Sequence, residues 1–220
     1  MIALNFHGIG TPHDGVDEHE RAYWFSHDQF ADLLARIWRE HDPAQFAFTF
    51  DDGNKSDLAA AEMLAGRGAT ARFFLLTGRM GDGAYCAPED ARALVKMGMV
   101  VGLHGRNHVD WRKCDHAALL DETQAARAEL AAVLGEPVDE VAIPFGAYDS
   151  RVISALRQQG FARIHTSDGG RCQPSARIWN RNSLHQNLSQ AELSAILHGR
   201  FSPLRRLRAG ASQMLRRYVS

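Results

Sequence analysis

Phe46-Ala47-Phe48-Thr49-Phe50-Asp51-Asp52-Gly53 decides how the rest of this chain reads. Its first five residues are mostly aromatic or β-branched. Such side chains fit a pleated surface packed on both faces, so the run predicts a buried strand. Two adjacent carboxylates and a glycine then end it. Side-by-side Asp residues on an apolar strand are costly, because like charges repel and each loses solvation. A divalent cation would offset that cost. Neighbouring side chains on a strand point to opposite sides, so one Asp can hold a metal while the other stays free as a base. The same eight residues also fit a strand ending in a solvated Asp-Asp-Gly turn, so the choice rests on what surrounds them.

Before this strand, Ile2–Phe6 reads as a first strand ending at His7-Gly8. Ser26 opens a helix with Gln29 three residues on, a capping box, and Phe30, Leu33, Leu34, Ile37 and Trp38 give that helix one apolar face. Beyond it lie an alanine-rich helix from about Ser56 to Leu64, strand-like runs at Thr70–Leu75 and Met99–Leu103, and between those two runs a helix opened by Pro88-Glu89-Asp90. Leu119, Thr123, Ala126, Leu130 and Leu134 predict one long helix closing at Gly135. Val141–Ile143 is a short strand, Asp149 caps a helix, Ala162–Thr166 and Ile178–Leu184 are further strand candidates, and Ser189 with Glu192 caps a last regular helix. Strands alternating with helices imply parallel pairing through helical crossovers. About seven units fit in residues 1–198. A full eight-unit barrel takes about 250 residues, so the expectation is an α/β fold: a distorted (β/α) barrel of about seven parallel strands.

The chain has 220 residues and a formal net charge of −1, which gives no global reason to expect nucleic acid as a partner. The N-terminus lacks a basic, apolar leader pattern, and no run approaches the roughly 20 apolar residues of a membrane span. Cys86, Cys114 and Cys172 are odd in number and widely spaced, which speaks against a disulfide framework. The resulting expectation is a cytoplasmic protein. From Gly199 to Ser220 the chain carries six arginines (Arg200, Arg205, Arg206, Arg208, Arg216, Arg217) and no acid. Apolar residues at helical spacing make this tail either a helix docked on the barrel or a basic amphipathic helix resting on the inner face of a membrane.

The chemically capable residues follow strands: His7 the first, Asp51 and Asp52 the second, His104 and His108 a later one, and Pro144-Phe145-Gly146 the next. In a parallel barrel these strand ends share one face, where active sites form. His104 and His108 stand four residues apart, close enough on a helical turn to bind one ion. With Asp52 they make two imidazoles and one carboxylate with positions left open, a catalytic rather than structural metal set. That donor set suits zinc and other first-row ions such as Co2+.

These residues resemble the polysaccharide deacetylases, also called the NodB-homology or carbohydrate esterase family 4 domain. Thr49-Phe50-Asp51-Asp52-Gly53 is similar to that family's first motif, His104 through His108 to its second, and Pro144-Phe145-Gly146 to its third. The resemblance implies a distorted parallel barrel that hydrolyses N-acetyl groups on sugars. It implies Asp52, His104 and His108 as metal ligands and Asp51 as the general base that deprotonates the attacking water. It also implies the Phe145 backbone N–H as oxyanion donor and His185, in Ser183-Leu184-His185, as general acid. Two departures stand out. Where the third motif normally begins with an arginine that pairs with the catalytic aspartate, this chain has Ala142. Arg181 is the preferred substitute over Arg163 and Arg106. The family's usual aspartate and tryptophan beside the acidic histidine are missing, with Asp168 and Trp179 as stand-ins. Arg181, Trp111 and His7 are expected to contact substrate, although Trp111 also fits core packing and His7 a structural place.

The expected function is removal of an N-acetyl group from a sugar, a sugar-nucleotide or a lipid-linked glycan, in lipopolysaccharide, O-antigen or other surface polysaccharide synthesis. Two alternatives stay open: a deacetylase-like binding protein with reduced turnover, suggested by Ala142, and a related hydrolase of a cyclic imide or ureide.

Overall fold

In the computed structural model, which describes residues 1–201, the strand-forming runs become the staves of a closed barrel. After β1 (Ile2–Phe6) come two short strands at the barrel mouth, β2 (Gly8–Ile9) and β3 (Trp24–Phe25), paired with each other across the short helix α1 (Glu18–Arg21). There follow α2 (His27–Glu40), β4 (Phe46–Phe50), α3 (Asp57–Ala65), β5 (Ala71–Leu75), α4 (Pro88–Lys96) and β6 (Val100–Leu103). The remainder is α5 (His116–Leu120), α6 (Ala126–Leu134), β7 (Glu140–Ala142), α7 (Ser150–Gln158), β8 (Arg163–Thr166), β9 (Ile178–Ser183) and α8 (Gln190–Leu197). Seven strands close in the order β1-β4-β5-β6-β7-β8-β9, all parallel, with β9 pairing back onto β1. This is the expected seven-strand (β/α) barrel. Its distortion is visible at two places: β8 runs into β9 without a helix, and β6 meets β7 through the single pair Leu103↔Val141.

Side chains alternate across these staves, and the two faces carry different chemistry. Ile2, Leu4 and Phe6 of β1, Phe46, Phe48 and Phe50 of β4, and Phe73 and Leu75 of β5 join the apolar core between the sheet and the helices. Phe6, Phe50 and Phe73 stack along neighbouring strands with centroids 5.2 and 4.7 Å apart, and Phe30 of α2 meets Phe6 edge-on. The intervening residues face inward, and many are polar: Asn5, Thr49, Arg72, Glu140, His165 and Arg181, beside Ala3, Ala47, Phe74, Ala142 and Trp179. Gly102 must be glycine here, because a Cβ would sit 2.6 Å from the Phe74 ring and 2.9 Å from the Glu140 carbonyl oxygen.

The predicted caps are present. Ser26 and Gln29 form a reciprocal capping box, Ser189 and Glu192 another, and Asp149 accepts from the Val152 N–H. The long helix expected between Leu119 and Gly135 differs from that reading: between α5 and α6 it widens into a π turn over Asp121–Ala125. There the Thr123 hydroxyl donates to the Leu119 carbonyl at 2.6 Å, an interaction that competes with regular helix bonds. Among the described residues no helix is long and apolar enough to cross a membrane. The basic tail, from residue 202 onward, lies outside the described residues.

Candidate active site

The C-terminal ends of β1, β4, β6 and β7 open on one cavity of about 330 Å³, lined by His7, Glu20, Tyr23, Asp51, His104, His108, Phe145, Gly146, Ser167 and Ser183. Three left-handed residues stand at this end of the barrel: Asp52 (φ 77°), His108 (φ 56°) and Phe145 (φ 58°), the only non-glycine residues of positive φ among those described. Each such conformation costs on the order of 1–3 kcal/mol and persists only where the surroundings over-determine it, typically at functional sites. Gly53 continues the turn at φ 67°, where a Cβ would approach Leu75 to 3.0 Å. This pair of left-handed residues takes the chain off β4 and leaves Asp51 and Asp52 facing different partners.

Asp52 Oδ1 lies 3.4 Å from His104 Nε2 and 3.4 Å from His108 Nε2, and the three ligand atoms all fall within 4.8 Å of one another. That oxygen is buried and has no hydrogen-bond partner. Two ligand bonds of about 2.0–2.1 Å at a tetrahedral angle separate their donor atoms by about 3.4 Å. The spacing therefore fits three donors directed at one small cation. His104 Nδ1 lies 3.0 Å from the Ala142 carbonyl oxygen. A carbonyl only accepts, so Nδ1 carries the proton and Nε2 keeps its lone pair, the usual outer-shell support of a metal-binding histidine. Burial lowers the pKa of both imidazoles, that of His108 to about 3 with His104 adding to the effect, so both are in the neutral form that binds metal. Burial, then Asp51 and Glu20, raise that of Asp52 well above the carboxylate range; a cation between the three groups would reverse this.

Asp51 faces a different neighbour. Arg181, fully buried on β9, grips it in a two-pronged ion pair, Nη1 to Oδ1 at 2.6 Å and Nη2 to Oδ2 at 2.8 Å. The guanidinium reaches Asp51 past β1, where Asn5 accepts from Arg181 Nη1 at 2.7 Å and donates through Nδ2 to Asp51 Oδ2 at 3.0 Å. Thr49 completes the net by donating to Asn5 Oδ1. Burial pushes the Asp51 carboxyl up, but the Arg181 charge and its hydrogen bonds outweigh it and hold the group well below its ordinary range. Arg181 thus supplies the charge that position 142 lacks. Arg163 is committed to Glu140 at 2.7 Å and Arg106 to Glu129 at 2.6 Å.

Residues 39–164 match the polysaccharide deacetylase family. The chain belongs to that family. Its fold is similar to that of a polysaccharide deacetylase from Bacillus cereus, with a TM-score of 0.73 and 16% identity over 89% of this chain and 68% of that one. It is similar as well to the deacetylase PplD from Streptococcus pyogenes in complex with acetate, with a TM-score of 0.74 and 19% identity over 90% and 97% of the two chains. IcaB from Ammonifex degensii gives 0.73 and 23% identity over 89% and 96%. At these identities the likeness is one of fold. No curated protein matches the sequence.

Against the family's motifs, the polysaccharide deacetylase fold brings Asp51, Asp52, His104, His108, Phe145 and His7 to one mouth. Phe145 is 60% exposed, with its ring 4.3 Å from that of His108. His7 lines the cavity with a buried, unpartnered Nδ1, and burial lowers its pKa to about 4. His185 does not line this cavity. Its ring meets Tyr23 edge-on at 5.7 Å, and it lines the neighbouring cavity that also holds Asp168. Trp111 must be corrected. It is 0% exposed, sits in the apolar core and points its indole N–H toward Glu122, so it offers no face to a sugar. Trp179 lies inside the barrel beneath the guanidinium groups of Arg72 and Arg163. Sequence reasoning missed Asn5, Glu20, Tyr23, Ser167 and Ser183. Glu20 and Tyr23 arrive on the β2–β3 excursion, whose two-residue strands leave no periodic signal.

Proposed function

We propose that this polysaccharide deacetylase family member is a metal-dependent hydrolase that removes the N-acetyl group from a sugar, with Asp52, His104 and His108 holding a divalent ion, zinc foremost. The observation that carries the proposal is the buried Asp52 oxygen with no hydrogen bond, equidistant at 3.4 Å from two neutral Nε2 atoms. When bound, such an ion supplies Lewis acidity, polarising the amide carbonyl and making water acidic enough to ionise near neutrality.

The chain's own groups supply the rest. Asp51, kept ionised by Arg181 and oriented by Asn5, accepts the proton of the attacking water. Phe145, left-handed on the cavity wall, is assigned to donate its backbone N–H to the developing oxyanion. An amide anion is a very poor leaving group, so nitrogen must be protonated as the C–N bond breaks. His185, one ring further out behind Tyr23, is the imidazole assigned to deliver that proton; His7 on the cavity wall, its pKa lowered to about 4, is neutral and has no extra proton to give. The reduced-turnover reading loses its motive, because Arg181 restores the counter-charge that Ala142 cannot provide.

The substrate proposed is an N-acetylated sugar in a precursor or terminal residue of a surface glycan, in keeping with the family. The test is acetate release from N-acetylated oligosaccharides, glycolipids and sugar-nucleotides with added zinc or cobalt. Wild type is expected to release acetate and Asp51→Asn to lose about 10²–10⁴-fold of the rate. Tight metal binding with no acetate from any of the three classes would sink the proposal.

A further inference from the structure

The loop His104–Asp110 carries two of the three candidate ligands, yet it is neither helix nor strand, and His108 within it is left-handed. Something must hold it. Beneath it lies Glu122, a buried carboxylate with no part in the proposed chemistry. Its Oε2 accepts from the Arg106 backbone N–H at 3.0 Å, and its Oε1 accepts from the Asn107 backbone N–H at 3.1 Å and from Asn107 Nδ2 at 2.8 Å. The Trp111 indole N–H reaches Oε2 at 3.5 Å. One carboxylate thus collects donors from both sides of His108. The fit is tight: a Cβ on Gly105 would come within 2.9 Å of Glu122 Oε2.

The π turn explains how a helix residue reaches this place. Glu122 is the second residue of the widened stretch Asp121–Ala125, which Thr123 stabilises by bonding to Leu119 and which Gln159 Nε2 secures through Thr123 Oγ1 at 2.8 Å. An extra residue in one turn rotates the side chains that follow relative to a regular helix. Such turns recur at functional sites for this reason.

We infer that Glu122 is a positioning residue for the metal site: it fixes the Arg106–Asn107 peptides so that His104 Nε2 and His108 Nε2 converge on Asp52. The inference rests on the metal-site reading above and deepens it. Outer-shell partners of metal ligands change affinity by roughly 10–100-fold when altered. Glutamine in place of Glu122 keeps the shape but offers one acceptor oxygen and an amide that opposes the remaining donors.

The test measures cobalt affinity and the visible absorption of bound Co2+ in wild type, Glu122→Gln and Asn107→Ala, with urea unfolding of each metal-free protein alongside. Glu122→Gln is expected to weaken Co2+ binding 10–100-fold and alter the Co2+ spectrum, in excess of any change in metal-free stability. Asn107→Ala, at an exposed residue, removes one donor and is expected to weaken binding about threefold. A merely structural Glu122 would shift the urea midpoint and leave cobalt affinity and spectrum as in wild type. That result in Glu122→Gln, or in Asn107→Ala if the first variant does not fold, overturns the inference. Wild type that binds no cobalt would instead count against the metal site itself.

Discussion

Arg181 and Asp51 show how a single buried ion pair can decide both stability and chemistry. Arg181 is fully buried and Asp51 nearly so, and every side-chain hydrogen bond they make is to Asn5, Thr49, Thr166 or each other. Removing one partner of such a pair strands the other charge and costs about 3–5 kcal/mol, whereas removing both can be nearly neutral. Arg181→Ala is therefore expected to lose stability of that order in urea unfolding, and Arg181→Met with Asp51→Asn to recover most of it. A single variant within about 1 kcal/mol of wild type would mean that the pair contributes little. In the sequence, Asp51 could be picked out because its neighbours Thr49-Phe50 and Asp52-Gly53 made a local pattern. Arg181 could be named only as one of three arginines, because its reach to Asp51, 130 residues away in the chain, depends on β9 closing against β1. Trp111 misled for a similar reason: nothing local distinguishes a tryptophan that faces a cavity from one that caps a core.

At the scale of elements, the strands were legible because aromatic and β-branched residues alternate with small or polar ones, and the helices because their caps are explicit at Ser26, Asp149 and Ser189. The two-residue strands β2 and β3 and the π turn were not, since each depends on tertiary packing rather than on propensity. The inward faces carry their own constraint. Gly102 of β6 lets the Phe74 ring of the neighbouring strand lie flat across it. Gly102→Ala is expected to cost about 1–3 kcal/mol by overpacking, readable as a lower thermal midpoint, with zinc affinity unchanged because the strand's ends keep their places. An unaltered midpoint would show that the barrel interior has more room than this packing allows.

For the molecule as a whole, the lower barrel interior sets its response to acid. His165 is fully buried with Nε2 2.8 Å from Glu140, and Arg72 and Arg163 flank the same carboxylate. Burial lowers the His165 pKa from 6.5 to about 4 despite Glu140. The unfolded chain therefore takes up that proton first, and stability present above pH 6.5 falls as the pH drops toward 4. Glu140, to which burial alone would give a raised pKa, is brought down to about 2 by His165 and the two arginines, so its contribution is lost at still lower pH. Urea midpoints that stay flat between pH 7 and pH 4.5 would contradict this. The proposed zinc site lies at the opposite end of the barrel. At a hundredfold excess over its dissociation constant it is expected to add about 2.7 kcal/mol, an increment that Asp52→Asn should abolish. No zinc-dependent shift in wild type would remove the basis for a bound ion.

The barrel closes by joining β9 to β1, and that seam has a consequence for synthesis. While the chain is still emerging from the ribosome, Asp51, Asp52, His104 and His108 are all translated before Arg181. A nascent polypeptide thus carries the candidate ligands without the guanidinium that offsets the burial of Asp51 in the closed barrel. The buried Asp51–Arg181 pair therefore forms only once the last stave has joined the first.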